Sequence, residues 1–206
     1  HPFAIRKILP FDKFKPIERY FTKRQTLLKA TADDFNLTYA AQRNTDTGFL
    51  CDFVFFRTRQ IPYIYNTLSK ENKRYMLFDV EFTEGEFIAR EVVKTTAMHI
   101  NLDFDIPVFT LDKEGLLDFK YGLAGFKDIE IANHPDFNKR FFLSGSNAEE
   151  IASVFSDELI LFLESHPYYH IESNGSSLLI LKKERLMSVQ EIKALLYFGK
   201  QFYKLV

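Results

Sequence analysis

Four polar side chains occupy every second position of one stretch: His99, Asn101, Asp103 and Asp105. On a strand, alternate residues share a face, so imidazole and oxygen donors would point the same way. Such donors suit a hard or borderline cation, which makes His99, Asp103 and Asp105 the candidate metal ligands. A strand sets them about 6.5–7 Å apart per step. At most two of them grip one ion, and a further ligand must come from elsewhere. The wet face of an antiparallel sheet explains the same alternation.

A second set is carboxylate only. Asp79 and Glu81 share a predicted strand face, and Asp52 lies inside the aromatic run 49–56. Paired carboxylates divide acid and base work when their environments differ. A carboxylate among aromatics must be paired or protonated. Asp52, Asp79 and Asp103 are therefore the candidate catalytic carboxylates of a hydrolase-like or metal-dependent enzyme, with ion-paired or solvent-facing carboxylates as the alternative. Cys51 is the single cysteine, and His99, His134, His166 and His170 are its candidate bases. A Cys-His nucleophile needs spatial contact and an electropositive pocket. Between Leu50 and Asp52, the thiol also reads as a small hydrophobe. One cysteine excludes an intrachain disulfide and a Cys-based zinc site. The chain has no Gly-x-Ser-x-Gly elbow, His-Glu-x-x-His, phosphate loop or Gly-x-Gly-x-x-Gly. The expectation leans away from an enzyme, and no cofactor is expected.

The charge layout is the most informative pattern. The 206 residues carry a net charge of −1, which argues against a nucleic-acid binder. The first 30 residues hold eight Lys and Arg against Asp12 and Glu18, a net +6, while the remaining 19 cations face 26 acids, a net −7. Anionic lipid headgroups attract such cations by about 1 kcal/mol each. Lys13, Lys15, Arg19, Lys23 and Arg24 are the candidate contacts to an anionic membrane or partner. Pairing of these cations with the acidic body is the alternative. No apolar stretch nears the roughly 20 residues that a membrane helix needs. The chain begins at His1 rather than Met, so a removed upstream anchor is expected, which would place the domain at the cytoplasmic side of the inner membrane, and otherwise in the cytoplasm.

The elements that must position these groups read as α+β. An amphipathic helix is predicted over 11–35, with Phe14, Ile17, Phe21, Leu28, Ala32 and Phe35 on one stripe. Strands are predicted at 49–56, 75–82, 87–102 and 108–111, as an antiparallel lobe. Residues 112–127, with three glycines, read as a joint. Then follow strands at 128–131 and 140–144, and a helix from the capping box Ser146-Asn-Ala-Glu149 to about Ser165. A hairpin turns at Asn174-Gly175, where both residues are expected at positive φ. A last helix opens at the capping box Ser188-Val-Gln-Glu191, with Met187 and Ile192 as a staple. Gly199 in its apolar stripe predicts close packing. The plan is one unit, 1–206, with lobes at 1–111 and 126–206, the second ordered strand, strand, helix, hairpin, helix.

From Tyr75 onward, several segments fall in a recurring order. They are Phe78-Asp-Val-Glu-Phe82, Thr95-Thr96, Pro107-Val-Phe-Thr-Leu111, Asp128-Ile-Glu-Ile131, His134-Pro-Asp-Phe137, Phe141-Phe-Leu-Ser-Gly145, Ile171-Glu172 and Leu178-Leu-Ile180. In this the chain resembles a family of uncharacterised bacterial proteins over about residues 75–206. The resemblance implies a soluble domain behind one or two N-terminal membrane helices, and it brings no catalytic residue. The expected function is a non-enzymatic, membrane-proximal domain that binds an unknown protein partner or an anionic membrane surface. The alternative is the carboxylate-based enzyme above, and a third reading is an oligomeric module.

Overall fold

Alternation of apolar and polar residues over Phe78 to Phe82 builds one of the long strands inside the sheet. The structure is a computed structural model and describes residues 22–70, 74–84, 91–113, 128–182 and 185–206. Strands β3 (Tyr75–Glu84) and β4 (Glu91–Asn101) pair antiparallel from Tyr75↔Ile100 to Glu84↔Glu91. Met76, Phe78, Val80 and Phe82 pack on one face, while Leu77 and Tyr75 belong to the core of the other. β2 (Gln60–Ser69) and the three-residue β1 (Thr38–Ala40) extend the sheet on one side. On the other side lie β8 (Ser177–Leu181), β7 (His170–Ser173), β5 (Phe109–Lys113) and the edge strand β6 (Phe141–Gly145). The eight strands run β1-β2-β3-β4-β8-β7-β5-β6, all antiparallel. The expected α+β class holds. A single sheet passes through both expected lobes, because β4 pairs directly with β8.

Helices cover one face of this sheet. α1 (Lys23–Phe35) begins at a Thr22/Gln25 capping box and ends on left-handed Asn36. α6 (Val189–Leu205) begins at the predicted Ser188/Glu191 box, with both reciprocal hydrogen bonds formed and Met187 and Ile192 buried. Gly199 lets α6 approach β4, since a Cβ there would sit 2.6 Å from the Met98 sulfur. The shorter α3 (Pro135–Arg140), α4 (Ala148–Val154) and α5 (Asp157–Ser165) contribute Phe137, Ile151 and Leu159 to the same core, with Phe155 from the cap between α4 and α5.

Several expected elements differ. Residues 49–56 form no strand. They make a 3-10 turn, Gly48–Asp52, and a short helix, α2 (Val54–Arg57), laid over the opposite sheet face. Buried Leu50, Phe53 and Phe56 recur at steps of three, a spacing that a short aromatic run hides. Residues 128–131 are irregular. Ile129 N–H donates to Leu143 O at 2.7 Å, and Leu143 N–H donates to Asp128 Oδ1 at 3.1 Å, so the segment covers the outer edge of β6. The helix expected from Ser146 to Ser165 divides in two. Asn147, not Ser146, caps α4, and Ser156 then caps α5 by accepting from Leu159 N–H. In the hairpin only Gly175 has positive φ, +105°. Asn174 instead accepts the Ser177 N–H through its side chain at 2.8 Å. Residues 1–21 and 114–127, most of the predicted joint among them, lie outside the described residues.

Candidate functional site

Among the described residues, three places gather side chains capable of chemistry. The first lies between α1 and the sheet. Asp79 on β3 is 1% exposed, and the Arg24 guanidinium meets it side-on: Nε to Oδ2 at 3.0 Å and Nη2 to Oδ1 at 2.7 Å. Thr96 Oγ1 donates to Oδ1 at 2.7 Å and Asn66 Nδ2 to Oδ2 at 2.9 Å. The paired charge and four hydrogen bonds offset the cost of burying the carboxylate. Asn66 reaches it because β2 bulges between Tyr65 and Leu68, putting Asn66 at φ 51°. Tyr39 OH donates to Asn66 Oδ1 at 2.9 Å, and Met187 N–H donates to Thr96 Oγ1 at 3.0 Å. Arg24 also donates to Met187 O. One carboxylate thus ties together α1, β1, β2, β3, β4 and the entry to α6. Burial and the negative charge of Asp79 push the Tyr39 hydroxyl up to about 12, against the pull of Arg24.

The second lies under α2. His170 is buried, with Nδ1 3.2 Å from Asp112 Oδ2 and Nε2 2.6 Å from Glu172 Oε1. Tyr168 OH donates to Asp112, and Phe55 N–H donates to Glu172 Oε1 at 2.8 Å. Burial pulls the imidazole toward neutrality, but the two carboxylates outweigh it and hold the His170 pKa above its ordinary value. Burial and Asp112 together push the Tyr168 phenol far up. The group is an imidazole clamped at both nitrogens by acids. It pins α2 onto the sheet and presents no free ring nitrogen. This cluster was not legible in the sequence beyond His170 as a candidate base; the available signal was three polar residues, Asp112, His170 and Glu172, on strands that the sheet makes neighbours.

The third is an open cleft of about 450 Å³ where α1 ends beside α6, lined by Asp34, Phe35, Asn36, Lys193, Tyr197 and Lys200. A second recess of about 350 Å³ lies on the other side of α1, between Lys29 and Asp33 and the edge residues Thr38 and Tyr39.

The expected site residues do not converge. Asp52 and Cys51 are exposed on the 3-10 turn rather than enclosed in an aromatic strand. Asp79 is saturated by internal donors. Asp103 is paired at the surface with Arg74 and accepts from Tyr203 OH at 3.1 Å. The predicted metal ladder breaks because β4 stops at Asn101. His99 lies buried beneath Phe49 and Phe53, while Asp103 and exposed Asp105 follow the strand end. Burial pushes His99 down to about 4. Among the described residues no group of three or more His, Cys, Asp or Glu is placed to hold a metal. Of the candidate membrane contacts, Lys23 is exposed and Arg24 is not free, since its guanidinium is bound to Asp79. The positive run hid this, because nothing local distinguishes Arg24 from its neighbouring cations. Lys13, Lys15 and Arg19 lie outside the described residues. Among the described residues no helix is long and apolar enough to cross a membrane.

Fold and site together define an α+β domain on one antiparallel sheet, with two buried polar clusters and, among the described residues, open clefts on both sides of α1. No family model and no curated protein matches the chain. Among solved structures it is similar to the crystal structure of the mycobacterial trehalose monomycolate transport factor A, TtfA. The TM-score is 0.56 at 13% identity, over 88% of this chain and 90% of that one. The likeness is one of fold.

Proposed function

We propose that this chain is a non-enzymatic, membrane-proximal binding domain, accessory to a transport process at the cytoplasmic face of a bacterial inner membrane. The observation that carries this reading is the disposition of the polar groups. Asp79 and His170, each at the centre of a buried polar cluster, are closed by partners within the fold, whereas among the described residues open clefts lie on both sides of α1. The cations Lys23 and Lys29 stand exposed along that helix, and Lys13, Lys15 and Arg19 precede it in the sequence. A shared fold does not carry function with it, but a transport factor built on the same plan supports an accessory role. The family resemblance from Tyr75 onward supports membrane proximity.

The test is crosslinking in living bacteria with the protein expressed from its complete gene, followed by membrane fractionation. The expected result is recovery with the inner membrane and a crosslink to a membrane transport component through the α1 surface. Recovery wholly in the soluble fraction, with no crosslinked protein, would overturn the proposal.

A further inference from the structure

α6 changes character along its length. From Ile192 to its end it carries Lys193, Lys200 and Lys204 and no acid. Lys193 is paired with Asp34 at 2.7 Å. Lys200 and Lys204 have no carboxylate partner among the described residues, and neither has Lys70, which lies near enough to Lys200 to disfavour its charge. Partial burial and this neighbouring cation both lower the Lys200 pKa. Among the described residues, positive charge without a carboxylate partner is therefore gathered here. Amid these lysines stands Tyr197, 64% exposed, its ring edge-on to Phe35 at 5.3 Å, with Lys200 Nζ 5.3 Å from the Phe35 ring centre. The open cleft of about 450 Å³ lies between them.

The neighbouring helices have the opposite sign. α4 and α5 carry Glu149, Glu150, Asp157, Glu158 and Glu164 and no Lys or Arg. The helical layer thus has a cationic, aromatic part and an acidic part, and only the first attracts an anionic surface. An exposed tyrosine flanked by long cationic side chains is the composition favoured at headgroup level: the ring is amphipathic, and lysine ammoniums reach phosphates.

We propose that the face of α6 centred on Tyr197, with Lys193, Lys200, Lys204 and Lys70, docks on an anionic phospholipid bilayer. This rests on the membrane-proximal reading above and assigns the contact to α6 rather than to α1 and the basic residues that precede it in the sequence. Docked this way, Tyr197 lies among the headgroups, and the acidic α4 and α5 turn away from the membrane.

The experiment is vesicle flotation of the 206-residue chain with phosphatidylcholine vesicles, alone or mixed with phosphatidylglycerol, at low and high salt. Binding is expected only with the anionic vesicles and is lost at high salt. Each lysine near such a surface is worth about fivefold in partition. Lys200→Gln with Lys204→Gln therefore weakens binding about 25-fold, and the corresponding double change to Glu abolishes it. Tyr197→Ser weakens it about fivefold through lost apolar contact. Lys139→Glu, at an exposed site on α3, changes binding less than about threefold. Circular dichroism of each variant keeps folding out of the comparison. Equal binding to neutral and anionic vesicles, or none to either, overturns the proposal. So does full retention in the double Gln variant with loss in Lys23→Glu, which would move the contact to α1. An intact crosslink to a transport component in cells carrying the double Glu variant would leave the function proposed above standing while this assignment fails.

Discussion

Arg24→Leu separates two fates for the same cation. A surface arginine contributes little: its replacement changes stability by less than about 0.5 kcal/mol. In the structure, Arg24 is the only ionic partner of Asp79 among the described residues, and Asp79 is 1% exposed. Replacing it leaves a buried carboxylate held by two neutral donors, Thr96 and Asn66. Breaking a buried pair from one side costs about 3–5 kcal/mol, because the remaining charge is uncompensated. For a chain of this size that lowers the melting temperature by about 10 °C. The companion variant sharpens the test. In Arg24→Leu with Asp79→Asn the stranded charge is gone, and the amide oxygen still accepts from Thr96 or Asn66. The double variant is therefore expected to be more stable than Arg24→Leu alone, by about 1–3 kcal/mol. Urea unfolding followed by far-UV circular dichroism measures both. The reasoning fails if Arg24→Leu unfolds within 0.5 kcal/mol of the parent, or if the second change adds to the loss.

Three further outcomes are expected. Burial holds His99 near 4 against an ordinary 6.5, so between those values the unfolded chain binds a proton that the folded chain refuses. Stability then falls as pH drops through that window, by about 3 kcal/mol in full, and His99→Leu flattens this acid limb in urea titrations; an unchanged slope would remove His99 as the cause. His170 has the opposite sign. Its pKa is raised in the fold, so its contribution is complete below the ordinary imidazole value and is lost as pH climbs through the raised one. His170→Gln should erase that alkaline decline, and a decline of the same size in the variant would refute the assignment. Among the glycines, Gly145→Ala should destabilise more than Gly199→Ala. A Cβ at Gly145 meets the Val108 carbonyl oxygen at 2.5 Å, which cannot move aside, whereas at Gly199 it meets the mobile end of Met98. About 3 kcal/mol for the first and about 1 for the second are expected from thermal melts, and the reverse order would disprove the packing argument.

The local chemistry of this chain is written in short sequence spans. The Ser188-to-Glu191 box starts α6 as read, because both bonds form within one turn. Alternation over Met76 to Phe82 makes a strand with the faces it predicts, because the pleat has a period of two. Gly199 marked a close approach, because an apolar helix stripe has no other need of it. Short aromatic runs were less legible: 49–56 has strand composition but lies over the sheet as a turn and a helix. Its buried residues recur too few times to show a period.

The sites belong to the other category. Asp79 and Arg24 are 55 residues apart, Asp112 and His170 are 58 apart, and Phe55 and Glu172 are 117 apart. No pattern in the chain links these pairs. Asp112 and His170 meet because β5 pairs with β7, Arg24 reaches Asp79 because α1 packs on the sheet, and Phe55 reaches Glu172 because α2 lies over the opposite face. Sequence alone fixed the strong cap, the central strand alternation and the lopsided charge, since each depends on neighbours within a few residues. Only the tertiary structure decided that Arg24 turns inward to Asp79, because burial of a charge depends on what distant strands bring to face it.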